Sequence, residues 1–192
     1  MHKILPKFFI FIDKYENQIF KKNNINLGVI YRNYEVKKRD KELVKIVKAC
    51  KKYGHQLFIS NDIKLVLKFK ADGLYIPSFN QRKYFLNLEK KNIRIIGSAH
   101  NQKEISIKIT QRCSAIFLSP IFYINKKNTF LDIYRFNYLS YNNKINFYAL
   151  GGISISNIKK IKLLKIYGFG GVSIFKKKPA YKRPVFIKNN FF

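Results

Sequence analysis

Gln56-Leu57-Phe58-Ile59-Ser60-Asn61-Asp62-Ile63-Lys64-Leu65-Val66-Leu67-Lys68-Phe69-Lys70-Ala71-Asp72-Gly73-Leu74-Tyr75-Ile76 is the stretch that decides the fold. It opens on a short apolar run, Gln56–Ser60, rich in aromatic and β-branched residues and short enough to be a buried strand. Asn61 and Asp62 then stand where a helix cap belongs, ahead of Ile63, Leu65, Val66 and Leu67. A second apolar run, Gly73–Ile76, closes the stretch. Strand, cap, helix and strand in that order make one βα unit.

Working outward, the same unit recurs. Further apolar runs are Phe8–Ile12, Leu27–Tyr31, Arg94–Gly97, Ala115–Ser119, Asn146–Leu150 and Gly171–Phe175. They are continuous rather than alternating, as expected of strands buried on both faces. Between them lie amphipathic stretches. Arg39–Lys52 puts Leu43, Ile46, Val47 and Cys50 on one face, with Gly54 as a stop. Asn101 and Glu104 form a capping-box pattern ahead of Ile105 and Ile109. Ser154 or Ser156 can cap a helix over Ile158–Lys165, with Leu164 on its apolar side and Gly168 at its end.

Strands and helices thus alternate about eight times, at spacings of roughly 20 residues per unit. An open doubly wound sheet uses fewer strands. The pattern predicts one α/β domain over residues 1–192, a compact (β/α)8 TIM barrel. Its final unit is expected to be short or irregular, because Lys176-Lys177-Lys178 lead to Pro179 and Pro184, which preclude a long helix.

The 192 residues carry 39 Lys plus Arg against 10 Asp plus Glu, a formal charge of +29. With 47% hydrophobic and 16% aromatic residues the chain is too apolar for intrinsic disorder. The charge raises a nucleic-acid partner. However, the chain is saturated with Lys, Asn, Ile, Phe and Tyr, the residues of AT-rich codons, and its lysines are spread through nearly every predicted helix. Composition accounts for the charge, and a nucleic-acid partner is not favoured. Cys50 and Cys113 sit in apolar contexts outside any CxxC, so buried free thiols and a reducing, cytoplasmic compartment are expected. No signal-peptide pattern stands at the start, and no apolar run is long enough to cross a bilayer.

In such a barrel the strand C-terminal ends form the active face. Gly151-Gly152-Ile153-Ser154 lies between a strand and a helix, where it is either a phosphate-cradling turn or a plain tight βα turn. Gly170-Gly171 in the next unit strengthens the phosphate alternative. Asp62 is either a helix cap or a Mg2+ ligand, with Asn61 beside it. His100, near Ser98, is either a general acid or base or a structural histidine at a helix start. The loop Ser119 to Asn128 is long and basic, so Lys126 and Lys127 either clamp a diphosphate or are simply solvated.

Taken in order, these motifs resemble the thiamine-phosphate synthase and TenI family. Phe8 to Asp13 looks like its opening strand, and Arg39 to Asp62 like its second helix and the strand ending in Asn-Asp. Ala71-Asp72-Gly73-Leu74-Tyr75, Ile95-Ile96-Gly97-Ser98-Ala99-His100, Leu118-Ser119-Pro120-Ile121-Phe122 and Ala149-Leu150-Gly151-Gly152-Ile153 resemble its Ala-Asp-Gly-Val-His, Gly-x-Ser-x-His (here one residue shorter), Pro-(Val/Ile)-Phe and Gly-Gly-Ile motifs.

The resemblance implies a thiamine-biosynthesis enzyme. The family synthase is a transferase that joins hydroxymethylpyrimidine diphosphate to a thiazole phosphate with Mg2+, losing diphosphate. TenI relatives instead tautomerise a thiazole carboxylate phosphate, with the histidine of Gly-x-Ser-x-His at work; a phosphate-binding barrel without synthase activity is the further alternative. By resemblance Asp62 is the first Mg2+ aspartate, Lys127 the diphosphate-loop lysine, and Gly152 the thiazole-phosphate glycine. His100 and Lys127 are the catalytic candidates. Arg32, Asn61, Ser98, Ser119, Lys126, Gly151, Gly152, Gly170 and Gly171 are the substrate and phosphate contacts. The sequence departs from the family pattern at Ile30 and Tyr34, where the family has Gln and Lys around the retained Arg32, and at Asn80, the second metal position. The loop threonines fall at Ile124 and Lys126, and the serine near the last phosphate falls near Lys176. The implied partners are small phosphorylated pyrimidines and thiazoles, not a membrane, and homo-oligomerisation is left open.

Overall fold

Local signals start and stop the elements largely where the sequence places them. The carboxylate of Asp62 accepts a hydrogen bond from the Leu65 amide at 3.0 Å, which opens a helix over Ile63–Lys68. Gly54, at φ 70°, closes the helix Asp40–Tyr53 in the left-handed conformation. Asn101 Oδ1 accepts from the Glu104 amide, and Glu104 reaches back to the His100 amide, opening the helix Gln102–Thr110.

The structure is a computed structural model that describes residues 4–22, 26–34, 39–83, 92–124, 129–141 and 143–176. The strands are β1 Phe8–Ile12, β2 Leu27–Tyr31, β3 Gln56–Ser60, β4 Gly73–Ile76, β5 Arg94–Ala99, β6 Ala115–Leu118, β7 Asn146–Leu150 and β8 Gly168–Gly171. Helices α1 Asn17–Lys22, α2 Asp40–Tyr53, α3 Ile63–Lys68, α4 Gln102–Thr110, α5 Asp132–Tyr141 and α6 Ser173–Lys176 accompany them, with a 3-10 helix at Ile158–Leu163. All eight strands pair in parallel and in sequence order, and β1 pairs with β8 to close the barrel. The α/β barrel expected from the sequence is the fold observed.

Strand alternation sorts two cores. Phe9 and Phe11, Ile30, Phe58, Tyr75, Ile96, Phe117 and Tyr148 fill the interior. Their strand neighbours, among them Ile10, Val29, Ile59, Leu74 and Ile116, pack outward against the helices. The floor is closed from before β1: the Tyr148 hydroxyl donates to the Pro6 carbonyl at 2.8 Å, and Gln56 Nε2 to the Ile4 carbonyl at 2.7 Å. The interior is therefore packed rather than hollow, and ligand-sized space lies at the strand C-terminal mouth.

Two expectations are corrected. The eighth strand is Gly168–Gly171, not Gly171–Phe175, and residues 173–176 turn into a helix. Glycine is required in that strand because a Cβ at Gly168 would lie 1.8 Å from the Lys7 carbonyl oxygen of the neighbouring segment. Likewise, Ser154 and Ser156 do not cap a helix over Ile158–Lys165. The element is a shorter 3-10 helix preceded by Asn157, and the two serine hydroxyls bond each other. Lys126 and Lys127, and residues 177–192 with Pro179 and Pro184, lie outside the described residues, as does the Lys176 side chain. Cys50 and Cys113 are free and buried, and burial pushes both thiols up to about 12, which keeps them protonated and inert.

Candidate active site at the barrel mouth

Residues that leave the strand C-terminal ends converge on two adjoining cavities. The larger, about 530 Å³, is lined by Arg32, Tyr34, Tyr75, Ser78, Ser98 and His100, among others. The second, about 430 Å³, runs to Gly151, Gly152, Ser154 and Gly171. Arg32, His100, Ser119 and Leu150 line both. Sizes in this range suit small heterocyclic ligands.

His100 stands at the junction with its ring fixed. Nδ1 lies 2.6 Å from the Ser119 carbonyl oxygen, which can only accept, so Nδ1 carries the proton. In the neutral ring this leaves Nε2 as an acceptor, and the Ser78 hydroxyl stands 3.2 Å from it. The imidazole therefore presents a lone pair toward the larger cavity. Beside it, burial pushes the Tyr75 phenol up to about 12, so it stays protonated next to Ser98. Tyr34 shares a hydrogen bond with Ser60 and packs its ring against Phe79, centroids 6.1 Å apart, which gives the cavity an aromatic wall. The Arg32 guanidinium lies 5.5 Å from the centre of the Phe11 ring and only loosely, at 3.9 Å, pairs with exposed Asp13.

The second cavity is a backbone construction. Gly151 and Gly152 have φ of 89° and 72°. Asn157 locks the turn they make: its Nδ2 donates to the Gly152 carbonyl at 2.8 Å, and its Oδ1 accepts from the Ser154 amide at 2.9 Å. Asn157 was not singled out in the sequence. An Asn closing a Gly-Gly turn from five residues downstream is an Asx-type signal that was available there. Gly171 reaches this cavity, but Gly170 is one residue deeper, where a Cβ would meet the rings of Phe117 and Phe11 at 3.0 and 3.1 Å.

Asn61 and Asp62 line neither cavity. Asp62 Oδ1 is taken by the α3 cap, and Oδ2 pairs with Arg39 Nη1 at 3.6 Å. Arg39 is nearly buried, stacked 4.9 Å from the centre of the Tyr31 ring. Asn61 Oδ1 accepts from Asn80 Nδ2, while Asn80 Oδ1 accepts from the Arg82 amide at 2.9 Å. Beneath them is Lys108, fully buried, whose ammonium donates to the Pro77 and Asn80 carbonyls, each at 2.8 Å, and to Gln111 Oε1 at 2.9 Å. Gly97 on β5 leaves room for its stem, since a Cβ there would lie 2.8 Å from Lys108 Cδ. This network holds the loop that carries Ser78. A lysine one turn after Ile105, on the apolar side of α4, was its only sequence signal.

Burial pushes the Lys108 ammonium down to about 8. Its unfolded value is about 10.4, so between those pH values the unfolded chain holds more protons and stability rises with pH. Below pH 8 both states are protonated and the full burial penalty applies. Cys113, nearby, stays protonated across this window. Lys108→Met removes the titration. Chemical denaturation should therefore show the wild-type-minus-variant stability climbing by up to roughly 2 kcal/mol from about pH 8 to about pH 9.5. A flat difference would mean that the ammonium is not desolvated.

Residues 22–175 match the family model described as thiamine monophosphate synthase. The chain is 31% identical over 132 residues to thiamine-phosphate synthase of Prochlorococcus marinus subsp. pastoris, covering 64% of this chain and 36% of that protein. It is 29% identical over 143 residues to putative thiamine-phosphate synthase 2 of Aquifex aeolicus, covering 71% and 77%. The alignment thus spans little more than a third of the Prochlorococcus protein but most of the Aquifex one. The solved thiamine phosphate pyrophosphorylase from Pyrococcus furiosus has a TM-score of 0.72 at 14% identity, covering 88% of this chain and 86% of that one, a likeness in fold.

Proposed function

The chain belongs to the thiamine monophosphate synthase family, and on that premise we propose that the two cavities join a hydroxymethylpyrimidine diphosphate to a thiazole phosphate. The observation that carries this reading is the convergence of Arg32, Ser98, His100, Ser119, Gly151 and Gly152 on two cavities that share one junction. One cavity offers an aromatic wall for a flat ring, and the other offers a glycine turn for a phosphate. In the reaction, the bond from the pyrimidine methylene carbon to the diphosphate oxygen breaks, and diphosphate leaves with the electron pair. The thiazole nitrogen lone pair then forms the new bond to that carbon. Arg32, at the junction, faces the negative charge that develops on the departing group. Orientation of two bound rings, rather than a strong base, supplies most of the acceleration.

Lys126 and Lys127 join this reading as diphosphate contacts on the strength of the resemblance alone. The Mg2+ of the resemblance is another matter. Asp62 and Asn80 have their oxygens committed to a helix cap, a guanidinium, an amide and a buried ammonium, a donor set that does not fit the ion. No step is therefore derived through it. We place the protein in the cytoplasm, a setting supported by its two free buried thiols. Among the described residues no helix is long and apolar enough to cross a membrane.

Purified protein given both substrates and Mg2+ should form thiamine phosphate. No product above background, with an active synthase run alongside, would remove this reading. A second reading, tautomerisation of a thiazole phosphate, is favoured by one observation, the lone pair of His100 Nε2 turned toward Ser78 and the cavity. There a ring proton moves to Nε2 and a proton is returned at the neighbouring position. His100→Gln separates the two. It should lower tautomerase turnover by about 10²-fold or more, the usual scale for a lost general base. Synthase turnover should fall by less than about tenfold, since that reaction needs no base at this position. Equal losses in both assays would mean that His100 only supports the fold.

A further inference from the structure

The loops after β3 and β4 are held together by charges of the protein's own. Arg39 covers one oxygen of Asp62 and also faces the Ser60 carbonyl, with Nη1 and Nη2 each at 3.4 Å. Lys108 sits under Asn80 with all three of its donors used, each on a neutral carbonyl oxygen. Gln111 Nε2 adds bonds to the Asn80 and Arg82 carbonyls at 2.9 and 2.8 Å. The Asn80 and Asn61 amides bond each other. Every oxygen that a hard cation would seek at Asp62 and Asn80 thus faces a guanidinium, an ammonium or an amide hydrogen.

The charge balance points the same way. Two carboxylates with one divalent cation sum to zero. Asp62 with Arg39 and Lys108 sums to one positive charge, fixed by the start of α2 and by α4 and needing no ion. Among the described residues no three His, Cys, Asp or Glu side chains stand together as a metal cluster.

We propose that Asp62 and Asn80 hold no divalent cation, because Arg39, Lys108 and backbone amides already occupy their oxygens, and that this mouth takes its phosphorylated ligand without a metal fixed there. The proposal rests on the phosphate reading of the mouth, and its test separates the two. Mn2+ serves as a spectroscopic probe, with free ion followed by electron paramagnetic resonance. Equimolar protein should leave the free Mn2+ signal unchanged. Inorganic diphosphate, titrated calorimetrically, should bind with affinities within about threefold in EDTA and in Mg2+. One Mn2+ retained per chain and released by Asp62→Asn would overturn the proposal. So would diphosphate binding that disappears in EDTA. Failure of diphosphate to bind in either buffer would overturn the phosphate reading and the ligand half of the proposal with it. The Mn2+ titration would still decide whether these side chains accept a metal.

Discussion

Phe9→Ala should lower folding stability by about 3–5 kcal/mol, a large part of the 5–15 kcal/mol typical of a whole domain. Phe9 is fully buried on the barrel axis and meets Phe58, Phe117 and Tyr148 edge-on, with centroids 5.3, 5.2 and 5.2 Å away. Its ring also fills the space over Gly28, where a Cβ would lie 2.1 Å from Phe9 Cε1. Truncation removes a ring that strands on opposite sides of the barrel share, and the backbone cage cannot collapse around the void. Urea denaturation should show a lower midpoint with an unchanged slope. Exposed Tyr123→Ala, measured in parallel, should move stability by no more than about 0.5 kcal/mol. A Phe9→Ala loss under about 1 kcal/mol would mean that the interior is not packed in this way.

Gly152→Ala should remove phosphate binding and destabilise the fold by roughly 2 kcal/mol or more. The position has φ 72°, where an L side chain is strained. A Cβ would also stand 2.5 Å from the Phe122 carbonyl oxygen and 2.7 Å from that of Tyr123, both backbone atoms that cannot swing aside. Relief requires the segment after β6 to move. That movement breaks the bonds from the Ile121 amide to Leu150 and from the Phe122 amide to Gly151, now 2.9 and 3.2 Å long. The same segment leads from Ser119, which holds His100, so the damage reaches both cavities. Calorimetry with a thiazole phosphate should detect at least a tenfold loss of affinity. Retained affinity would show that the glycine turn does not hold the phosphate.

Seven strands were legible because burial on both faces writes them as continuous apolar runs. Five of those runs, at β1, β2, β3, β4 and β7, coincide with the observed strands, and those at β5 and β6 differ from them only at one end. The eighth was misplaced because Gly168-Phe169-Gly170-Gly171 has no such run. Its composition answers to the Lys7 carbonyl and to rings on β1 and β6, which lie far away in sequence. At the mouth, Ser98, His100 and Ser119 could be found because strand ends are where such side chains gather. Asp62 remained double-valued, since a helix cap and a metal ligand ask for the same residue, and only the approach of Arg39 from the start of α2 separates them. Lys108 was nearly invisible. In a chain with 39 basic residues a single lysine carries little information, and two of its three partners are backbone carbonyls, which no sequence pattern marks.

The buried ammonium also has an evolutionary corollary. Gly97 opens the space, Lys108 occupies it and Gln111 anchors it, so none of the three is independent of the others. A side chain at 97 evicts the lysine, and an apolar residue at 108 strands the glutamine and the loop carbonyls. Among relatives these three positions should change as a block, and single transplants between lineages should be deleterious where the complete trio is tolerated.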